Sequence, residues 1–275
     1  MDMLAGNKVQ ATTESSTLQL VAQMHQALGF QWAHKGRRPL AGSCYNPSLM
    51  NPDYPLEHLV LGLRQAPKAC VCLHGPKGTG KTEFGHYLAG ALGKPLVAIS
   101  AGNILEAVFG EQLLLSALNE AKLSNGILMI DDIASAQRGP DPKHGGWGAK
   151  LQPRLLQQIT SYDGIVLLLS RSLSHLSCSI SSCCNYFIQL GYLDFEQAWM
   201  FFNQLLGMSQ LRPFQLMPVE GLEARLARVK ELTPGDFVCV KKQVQASGKR
   251  LTPIALIEGL EQLGIRSHWQ NIRYC

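Results

Sequence analysis

The chain has 275 residues, of which 46% are apolar and 16% are charged, and its formal net charge is +5. The apolar fraction excludes a disordered or collagen-like chain, and the length is enough for one large domain or two small ones. No run of consecutive Lys or Arg residues is longer than two, so a nucleic-acid-binding arm is not supported.

The first 54 residues predict one helix and a long loop. Ser15, Ser16 or Thr17 is suited to cap a helix whose apolar positions run from Leu18 to Leu28. A loop rich in Gly, Pro and Asn follows, up to Pro55. We therefore treat residues 1–54 as an N-terminal extension.

Five short apolar segments in the middle of the chain predict β-strands. They lie at residues 69–73, 96–99, 127–130, 165–169 and 186–188. Helical patterns lie between them, at residues 82–92, 104–123 and 151–159. Short, fully apolar strands that alternate with helices are typical of a parallel sheet with helices on both faces. Residues 55–191 are therefore predicted to form an α/β core.

From Asp194 onward the pattern predicts helices alone. Asp194 is followed by residues that suit the first turn of a helix, and three more helical patterns follow, near residues 220–231, 235–246 and 253–263. The predicted architecture is thus an α/β core followed by a smaller helical domain over residues 192–275.

The strongest functional motif is the segment at residues 75–82, G-P-K-G-T-G-K-T, which fits the pattern G-x-x-x-x-G-K-[ST] between a predicted strand and a predicted helix. Glycines in such a loop let backbone N–H groups turn toward phosphate oxygens, and the next helix directs its positive end at them. Lys81 is expected to bridge the β- and γ-phosphates, and Thr82 to offer its hydroxyl to Mg²⁺. The predicted nucleotide-binding residues are Gly75, Pro76, Lys77, Gly78, Thr79, Gly80, Lys81 and Thr82.

A second motif is the apolar strand that ends in Asp131 and Asp132, about fifty residues further along the chain. Acids at the carboxyl end of a parallel strand lie where such sheets bind ligands. We expect Asp131 to hold Mg²⁺ through water, and Asp132 to orient an attacking water molecule. The alternative is a pair of solvated acids at the end of a strand.

These motifs and their spacing resemble the AAA+ ATPases, and within them the AAA-type branch with its stand-alone bacterial members. The likeness runs from about residue 46 to residue 263. It includes the Walker A segment at 74–82, the Walker B segment at 129–132, a pore-loop-like V-F-G-E at 108–111 and a lid-helix start, L-T-P-G-D-F, at 232–237. The resemblance implies a P-loop NTPase with a five-stranded parallel sheet covered by helices and a smaller C-terminal helical lid.

The same resemblance implies that ATP and Mg²⁺ bind between lid and sheet, in an oligomer that is usually a hexameric ring. In such rings a neighbouring subunit supplies arginine fingers, and loops at the central pore pull on a polypeptide. The usual aromatic position of that loop falls here on Val108, with Phe109 next to it.

The sequence departs from the family at the residues that speed hydrolysis. The catalytic glutamate of the family falls on Asp132, which is one methylene shorter, and the sensor asparagine falls on Arg171, or on Ser170 if the register slips. Arg171 can contact a γ-phosphate as a cation, but it cannot accept a hydrogen bond. The arginine-finger positions fall on Ser182 and Cys183, whereas such arginines are worth roughly 10³–10⁵ in rate in other P-loop enzymes.

Two functional hypotheses follow. In the first, the chain is an ATP-binding AAA-type ATPase, a slow hydrolase with catalytic residues Asp132 and Arg171, which couples nucleotide state to remodelling or assembly of a protein partner in a homo- or hetero-oligomer. In the alternative, it is a non-hydrolysing, nucleotide-gated scaffold or regulatory subunit. A small-molecule kinase remains a possible alternative. A GTPase is disfavoured because no N-K-x-D motif occurs. A nucleic-acid motor is the weakest hypothesis.

The eight cysteines include no C-x-x-C pair, so a zinc ribbon or a thioredoxin-like motif is not supported. Cys70 and Cys72 are expected to be small buried residues, as are Cys183 and Cys184, for which a redox-sensitive pair is the alternative. The chain does not open with an apolar leader, and its apolar runs are too short to cross a bilayer. We therefore expect a reduced, soluble, cytoplasmic protein.

Overall fold

The computed structural model describes residues 45–106, 110–134, 147–207 and 221–272. The helix predicted at residues 17–28 lies outside these ranges, as do Val108 and Phe109 of the pore-loop-like stretch. Among the described residues, no helix combines the length and the apolar character needed to span a membrane.

Five strands form one parallel sheet in the order β2-β3-β4-β1-β5. They are β1 (Ala69–His74), β2 (Leu96–Ser100), β3 (Ile127–Asp131), β4 (Ile165–Ser170) and β5 (Tyr186–Gln189). All five predicted strands are confirmed, and each extends one residue further than the apolar pattern, to His74, Ser100, Asp131, Ser170 and Gln189. Because the strands are parallel, these polar residues all lie at the carboxyl edge of the sheet.

The helices before and between the strands are α1 (Leu56–Gln65), α2 (Lys81–Leu92), α3 (Ala101–Glu106), α4 (Gly110–Leu123), α5 (Trp147–Ser161) and α6 (Cys178–Ser181). The sequence interpretation missed α1, although its buried residues Leu56, Leu59, Val60 and Leu63 have helical spacing. The predicted helix at 104–123 corresponds to α3 and α4, and helical structure begins earlier than expected, at Ala101.

The sheet is covered on both faces, as the apolar strands require. One hydrophobic cluster includes Leu114, Leu118, Ile130 and Leu168, and the other includes Leu59, Phe84, Leu88 and Leu167. Leu167 and Leu168 are neighbours on β4 and belong to opposite clusters, because successive side chains of a strand point to opposite faces.

Four further helices form a C-terminal helical cluster: α7 (Phe195–Leu205), α8 (Leu222–Arg228), α9 (Pro234–Ala246) and α10 (Pro253–Ile272). Its hydrophobic core includes Phe202, Leu226, Phe237 and Leu260. Asp194 caps α7 as expected, because its carboxylate accepts from the Gln197 amide at 2.8 Å while Gln197 accepts from the Asp194 amide at 3.1 Å. The domain limits at 54/55 and 191/192 stay predictions.

Candidate functional site

The loop of residues 75–80, called here the phosphate loop, connects β1 to α2. Gly75, Gly78 and Gly80 have φ angles of 140°, 89° and 91°, a region that side chains disfavour. A Cβ atom at Gly75 would also overlap the carbonyl oxygen of Leu190, just beyond β5. Glycine is therefore needed at Gly75 both for its backbone angle and for its packing.

Lys81, the first residue of α2, reaches back over the phosphate loop. Its Nζ donates to the carbonyl oxygens of Gly75 and Pro76, both at 2.7 Å, and lies 3.4 Å from Thr79 Oγ1. Thr79 is 1% exposed and its hydroxyl donates to the Pro76 carbonyl at 3.0 Å. The ammonium group of Lys81 thus lies across the phosphate loop. Hydrogen bonds from the Lys81 and Thr79 side chains to backbone carbonyls stabilise that loop.

Burial lowers the pKa of Lys81 to about 8, and the nearby charge of Arg171 acts in the same direction. The carboxylate of Asp131 opposes this shift. An ammonium with this pKa keeps its proton at neutral pH and begins to lose it in mildly alkaline solution.

Oxygen atoms of two predicted magnesium ligands lie side by side at the carboxyl edge of the sheet. Thr82 Oγ1 donates to Asp131 Oδ2 at 3.3 Å, and the backbone amide of Asp132 donates to Asp131 Oδ1 at 2.7 Å. No cluster of three or more His, Cys, Asp or Glu side chains in the described ranges is arranged to hold a metal ion. A hydroxyl and one carboxylate fit Mg²⁺, which proteins hold with few side chains together with phosphate and water oxygens.

Asp132 follows β3 directly and has a φ angle of 51°, in the left-handed region that aspartate tolerates better than most residues. The chain therefore turns sharply at the position where the family resemblance expects a catalytic glutamate.

Arg171 follows β4 and is exposed, close enough to Lys81 to lower its pKa. Ser170, the alternative position for the sensor residue, is 1% exposed, and its hydroxyl donates to the Ser172 carbonyl at 2.8 Å. Arg171 is thus the more accessible of the two at this edge of the sheet.

His74, the first residue of the Walker A segment, and Asp53 are neighbours of the site that were not among the predicted binding residues. His74 ends β1 and is 8% exposed. Burial lowers its pKa, as does the charge of Lys81, while Asp53 opposes the shift. Asp53 Oδ1 also accepts from the Gln189 amide at 2.8 Å, which holds its segment against β5.

The start of α9 meets the phosphate loop backbone to backbone. The Gly235 amide donates to the Gly78 carbonyl at 2.9 Å, and a Cβ atom at Gly235 would lie 2.7 Å from Gly78 Cα. Thr233 caps α9 through Asp236, whose carboxylate accepts from the Thr233 amide at 2.8 Å. The lid-helix start predicted from residues 232–237 is therefore in contact with the loop.

Residues 45–53, predicted as part of a loop, pack between the phosphate loop and α7. A Cβ atom at Gly80 would lie 3.1 Å from Met50 Sδ and 3.3 Å from Tyr45 Cε2. The Met50 carbonyl accepts from Gln197 Nε2 at 2.8 Å. No motif marks these residues, because their contacts are with parts of the chain far away in sequence.

Ser182 and Cys183, which fall on the arginine-finger positions, follow α6 before β5. The Ser182 hydroxyl donates to the Ser179 carbonyl at 2.9 Å, and Cys183 Sγ lies 3.4 Å from the same oxygen. These side chains cap a short helix and carry no positive charge.

Comparison with known proteins bears on the same region. Residues 71–192 match the family described as "ATPase family associated with various cellular activities (AAA)". The chain is 37% identical over 109 residues to the probable inactive ATP-dependent zinc metalloprotease FTSHI 4, chloroplastic, of Arabidopsis thaliana. The matched segment covers 38% of this chain and 12% of that protein.

Two further relatives are bacterial. Lon protease 4 of Sorangium cellulosum is 32% identical over 117 residues, or 37% of this chain and 14% of the relative. ATP-dependent zinc metalloprotease FtsH 3 of Symbiobacterium thermophilum is 32% identical over 114 residues, or 40% of this chain and 18% of the relative. The chain therefore spans less than a fifth of the length of each of these three proteins.

The family match begins within β1 and ends just after β5, so it contains the phosphate loop, both aspartates of the β3 motif and all of the five-stranded sheet except the first two residues of β1. Over residues 71–192 the chain therefore matches the AAA family of ATPases.

Proposed function

We propose that this chain binds ATP with Mg²⁺ at the phosphate loop and hydrolyses it slowly, and that nucleotide state controls remodelling or assembly of a protein partner. The observation that carries the proposal is the position of Lys81 Nζ across a loop whose glycines have positive φ angles, beside the Thr82 and Asp131 oxygens. Such a loop and helix start offer backbone N–H groups and a cation to phosphate oxygens.

Each residue has a distinct role in this proposal. The backbone of residues 75–80 surrounds the phosphates, and Lys81 binds their β- and γ-oxygens. Thr82 and Asp131 hold Mg²⁺, which when bound offsets negative charge on the phosphates. Asp132 orients the attacking water, and Arg171 binds an oxygen of the γ-phosphate.

The hydrogen bond between Gly78 and Gly235 connects the phosphate loop to the C-terminal helical cluster. Any shift of the Gly78 carbonyl on phosphate binding strains its hydrogen bond with the Gly235 amide, which is 2.9 Å long in the structure. In this proposal the C-terminal helical cluster acts as a lid whose position depends on the phosphate loop. The lid in turn links nucleotide state to the proposed homo- or hetero-oligomer and its protein client.

Slow turnover follows from three features of the site. Asp132 is shorter than glutamate, and a misplacement of about 1 Å can cost on the order of a hundredfold in rate. Asp132 also has a left-handed backbone, and neither Ser182 nor Cys183 can supply the charge of an arginine finger. These features also favour the second candidate, a nucleotide-gated scaffold that does not hydrolyse ATP. The name of the Arabidopsis relative, which describes a probable inactive enzyme, points in the same direction.

Turnover and affinity for ATP, measured on the purified chain over a range of protein concentrations, separate the two candidates. Specific turnover that rises with protein concentration supports an ATPase that assembles. Tight ATP binding without turnover at any concentration supports the scaffold. Absence of ATP binding in the presence of Mg²⁺ would overturn both.

Asp132→Glu tests whether the length of this acid limits the reaction. We expect turnover to rise about tenfold or more, because the added methylene extends the carboxylate by about 1 Å, to the length of the glutamate that the family resemblance expects. The measurement is steady-state phosphate release at saturating ATP, and Asp132→Asn, which cannot act as a base, serves as the matched control. No gain with glutamate would instead assign the low rate to the missing arginine.

The affinity for ATP is also expected to depend on pH. Phosphate favours protonated Lys81, and the free protein loses this proton as the pH rises through about 8, so binding must then take up a proton. Affinity should fall by up to about tenfold per pH unit above that value, where the ATP phosphates are already ionised.

Calorimetric titrations between about pH 7.5 and pH 9.5 measure this dependence, and proton uptake can be read from the effect of buffer ionisation enthalpy. Lys81→Arg retains its charge throughout and should remove most of the dependence. A flat profile for the unmodified chain would contradict the placement of phosphate at Lys81.

A further inference from the structure

Two cysteines of β1 and one cysteine that is distant in sequence meet where β1 begins to pair with β5. Cys70 and Cys72 lie on the same face of β1, and Cys184 lies in the turn between α6 and β5. The Sγ atoms of Cys70 and Cys184 are 3.6 Å apart. Cys70 and Cys72 are buried, with exposed fractions of 6% and 0%, whereas Cys184 is partly exposed.

Asn185 fixes this arrangement. Its backbone amide donates to the Cys70 carbonyl at 2.8 Å, and its side-chain Oδ1 accepts from the Cys70 amide at 2.8 Å. The pairing of β1 with β5 begins at the next residue on each strand, with Val71 opposite Tyr186. Cys184 is therefore held next to Cys70 by the hydrogen bonds that start the strand pair.

The three thiols are not equivalent. Hydrogen bonds from Cys70 and Cys72 to Cys184 lower the pKa of Cys184, and the same bonds together with burial raise the pKa of Cys70 and of Cys72. Cys184 Sγ also lies 3.4 Å from the Ile180 carbonyl, a contact that favours the thiol and opposes ionisation. Cys184 is thus the one thiol of the three whose pKa its neighbours lower.

We propose that Cys184 is a peroxide-reactive thiol and that Cys70 resolves it, so that this chain forms a reversible Cys70–Cys184 disulfide. The site differs from the Cys183–Cys184 pair considered from the sequence, because Cys183 Sγ is directed at the Ser179 carbonyl, 3.4 Å away. Cys184 combines partial exposure with a resolving sulfur in van der Waals contact, which is the arrangement that redox-sensing thiols require.

The reaction balances with a hydroperoxide as the oxidant. The Cys184 thiolate attacks one oxygen of hydrogen peroxide, the O–O bond breaks, and sulfenic acid and hydroxide form. The sulfur of Cys70 then attacks the Cys184 sulfur, the S–S bond forms, and the hydroxide that leaves takes up the Cys70 proton as water. Two thiols are oxidised and one peroxide is reduced to two water molecules, and a dithiol reductant reverses the change.

Peptide mapping of the full chain after brief exposure to hydrogen peroxide tests the proposal. We expect a disulfide-linked species that joins the tryptic peptide containing Cys70 to the one containing Cys184, and its loss on treatment with dithiothreitol. Cys183→Ser is the matched control, since Cys183 is adjacent and also partly exposed, and it should form the link at the unmodified rate. Cys184→Ser and Cys70→Ala should each abolish it, whereas Cys72→Ala should not, which separates Cys70 from Cys72 in their shared tryptic peptide.

The double variant Cys70→Ala/Cys72→Ala gives a second, positive signal. Without a neighbouring sulfur on β1, Cys184 should accumulate sulfenic acid, which dimedone traps at least about tenfold more at Cys184 than at the exposed Cys178. Thermal unfolding of each variant checks that the fold is kept. Equal oxidation at Cys178 and Cys184, or a link that Cys183→Ser abolishes, would overturn the proposal. Neither readout needs nucleotide, so the outcome is independent of ATP binding.

Discussion

Replacing Lys81 by alanine should weaken ATP binding by about a hundredfold or more. A hydrogen bond between an ammonium and phosphate contributes up to about 3 kcal/mol, and every 1.4 kcal/mol is about tenfold in affinity. Lys81 is also the residue whose Nζ lies across the phosphate loop, on the Gly75 and Pro76 carbonyls. Isothermal titration calorimetry with ATP and Mg²⁺ measures the loss directly.

Lys77→Ala is the matched control, because the exposed Lys77 lies in the same loop and is proposed to contact phosphate through its backbone, which the substitution keeps. It removes one positive charge from the same region, so a long-range electrostatic effect would weaken both variants alike. We expect Lys77→Ala to change the affinity by no more than about threefold, the effect of a solvated charge. Unchanged binding in Lys81→Ala would contradict the assignment of the phosphate loop.

Replacing Gly75 by alanine should have the largest effect on stability. The new Cβ atom would overlap the Leu190 carbonyl oxygen, and this neighbour is backbone that cannot rotate away. The φ angle of 140° adds strain, because side chains disfavour that region. We expect the free energy of unfolding to fall by about 3 to 5 kcal/mol, as measured by urea titration.

Gly90→Ala is the opposite test with the same chemical change. Gly90 lies inside α2, and a Cβ atom there would meet nothing within 4 Å. Alanine in a helix interior is favoured over glycine by roughly 1 kcal/mol, so this variant should be more stable than the unmodified chain. A similar destabilisation in both variants would show that the overlap with Leu190 is not the cause.

Much of the fold could be predicted because burial leaves a clear pattern in the sequence. Strands buried on both faces appear as continuous apolar runs, and all five were recognised. Each strand ends one residue later than predicted, since the last residue, such as His74 or Asp131, still pairs within the sheet but is polar. The apolar pattern reports burial, whereas strand ends are set by backbone pairing.

The missed helix α1 had a usable signal. Leu56, Leu59, Val60 and Leu63 follow the spacing i, i+3, i+4, i+7 and are all buried. The predicted Gly-, Pro- and Asn-rich loop ends at Pro55, but no element was assigned to the residues between it and the first strand. Pro55 marks the true boundary, directly before the helix.

The candidate site divides into a predictable and an unpredictable part. Residues 75–82 could be identified because local chemistry dictates their types and spacing. Tyr45, Met50 and Asp53 could not, since they reach the site through contacts with Gly80, Gln197 and Gln189 that no local pattern encodes. The roles of Asp132 and Arg171 in hydrolysis, the oligomer and the cytoplasmic location stay predictions.

The thiol site shows the same limit. Cys70 and Cys184 are 114 positions apart, and only the order of strands in the sheet brings their sulfur atoms into contact. The expected burial of Cys70 and Cys72 is confirmed, but Cys183 and Cys184 are partly exposed rather than buried.

The interior position of β1, between β4 and β5, also determines when the sheet can form. The two neighbours of β1 in the sheet are β4 and β5, and both follow it at a distance, whereas β2 and β3 are paired neighbours in sequence. During synthesis β1 therefore leaves the ribosome with both of its hydrogen-bonding edges unpaired, and they stay so until residue 165 and beyond have been made. The phosphate loop, which begins where β1 ends, is consequently among the last parts of the sheet to take shape.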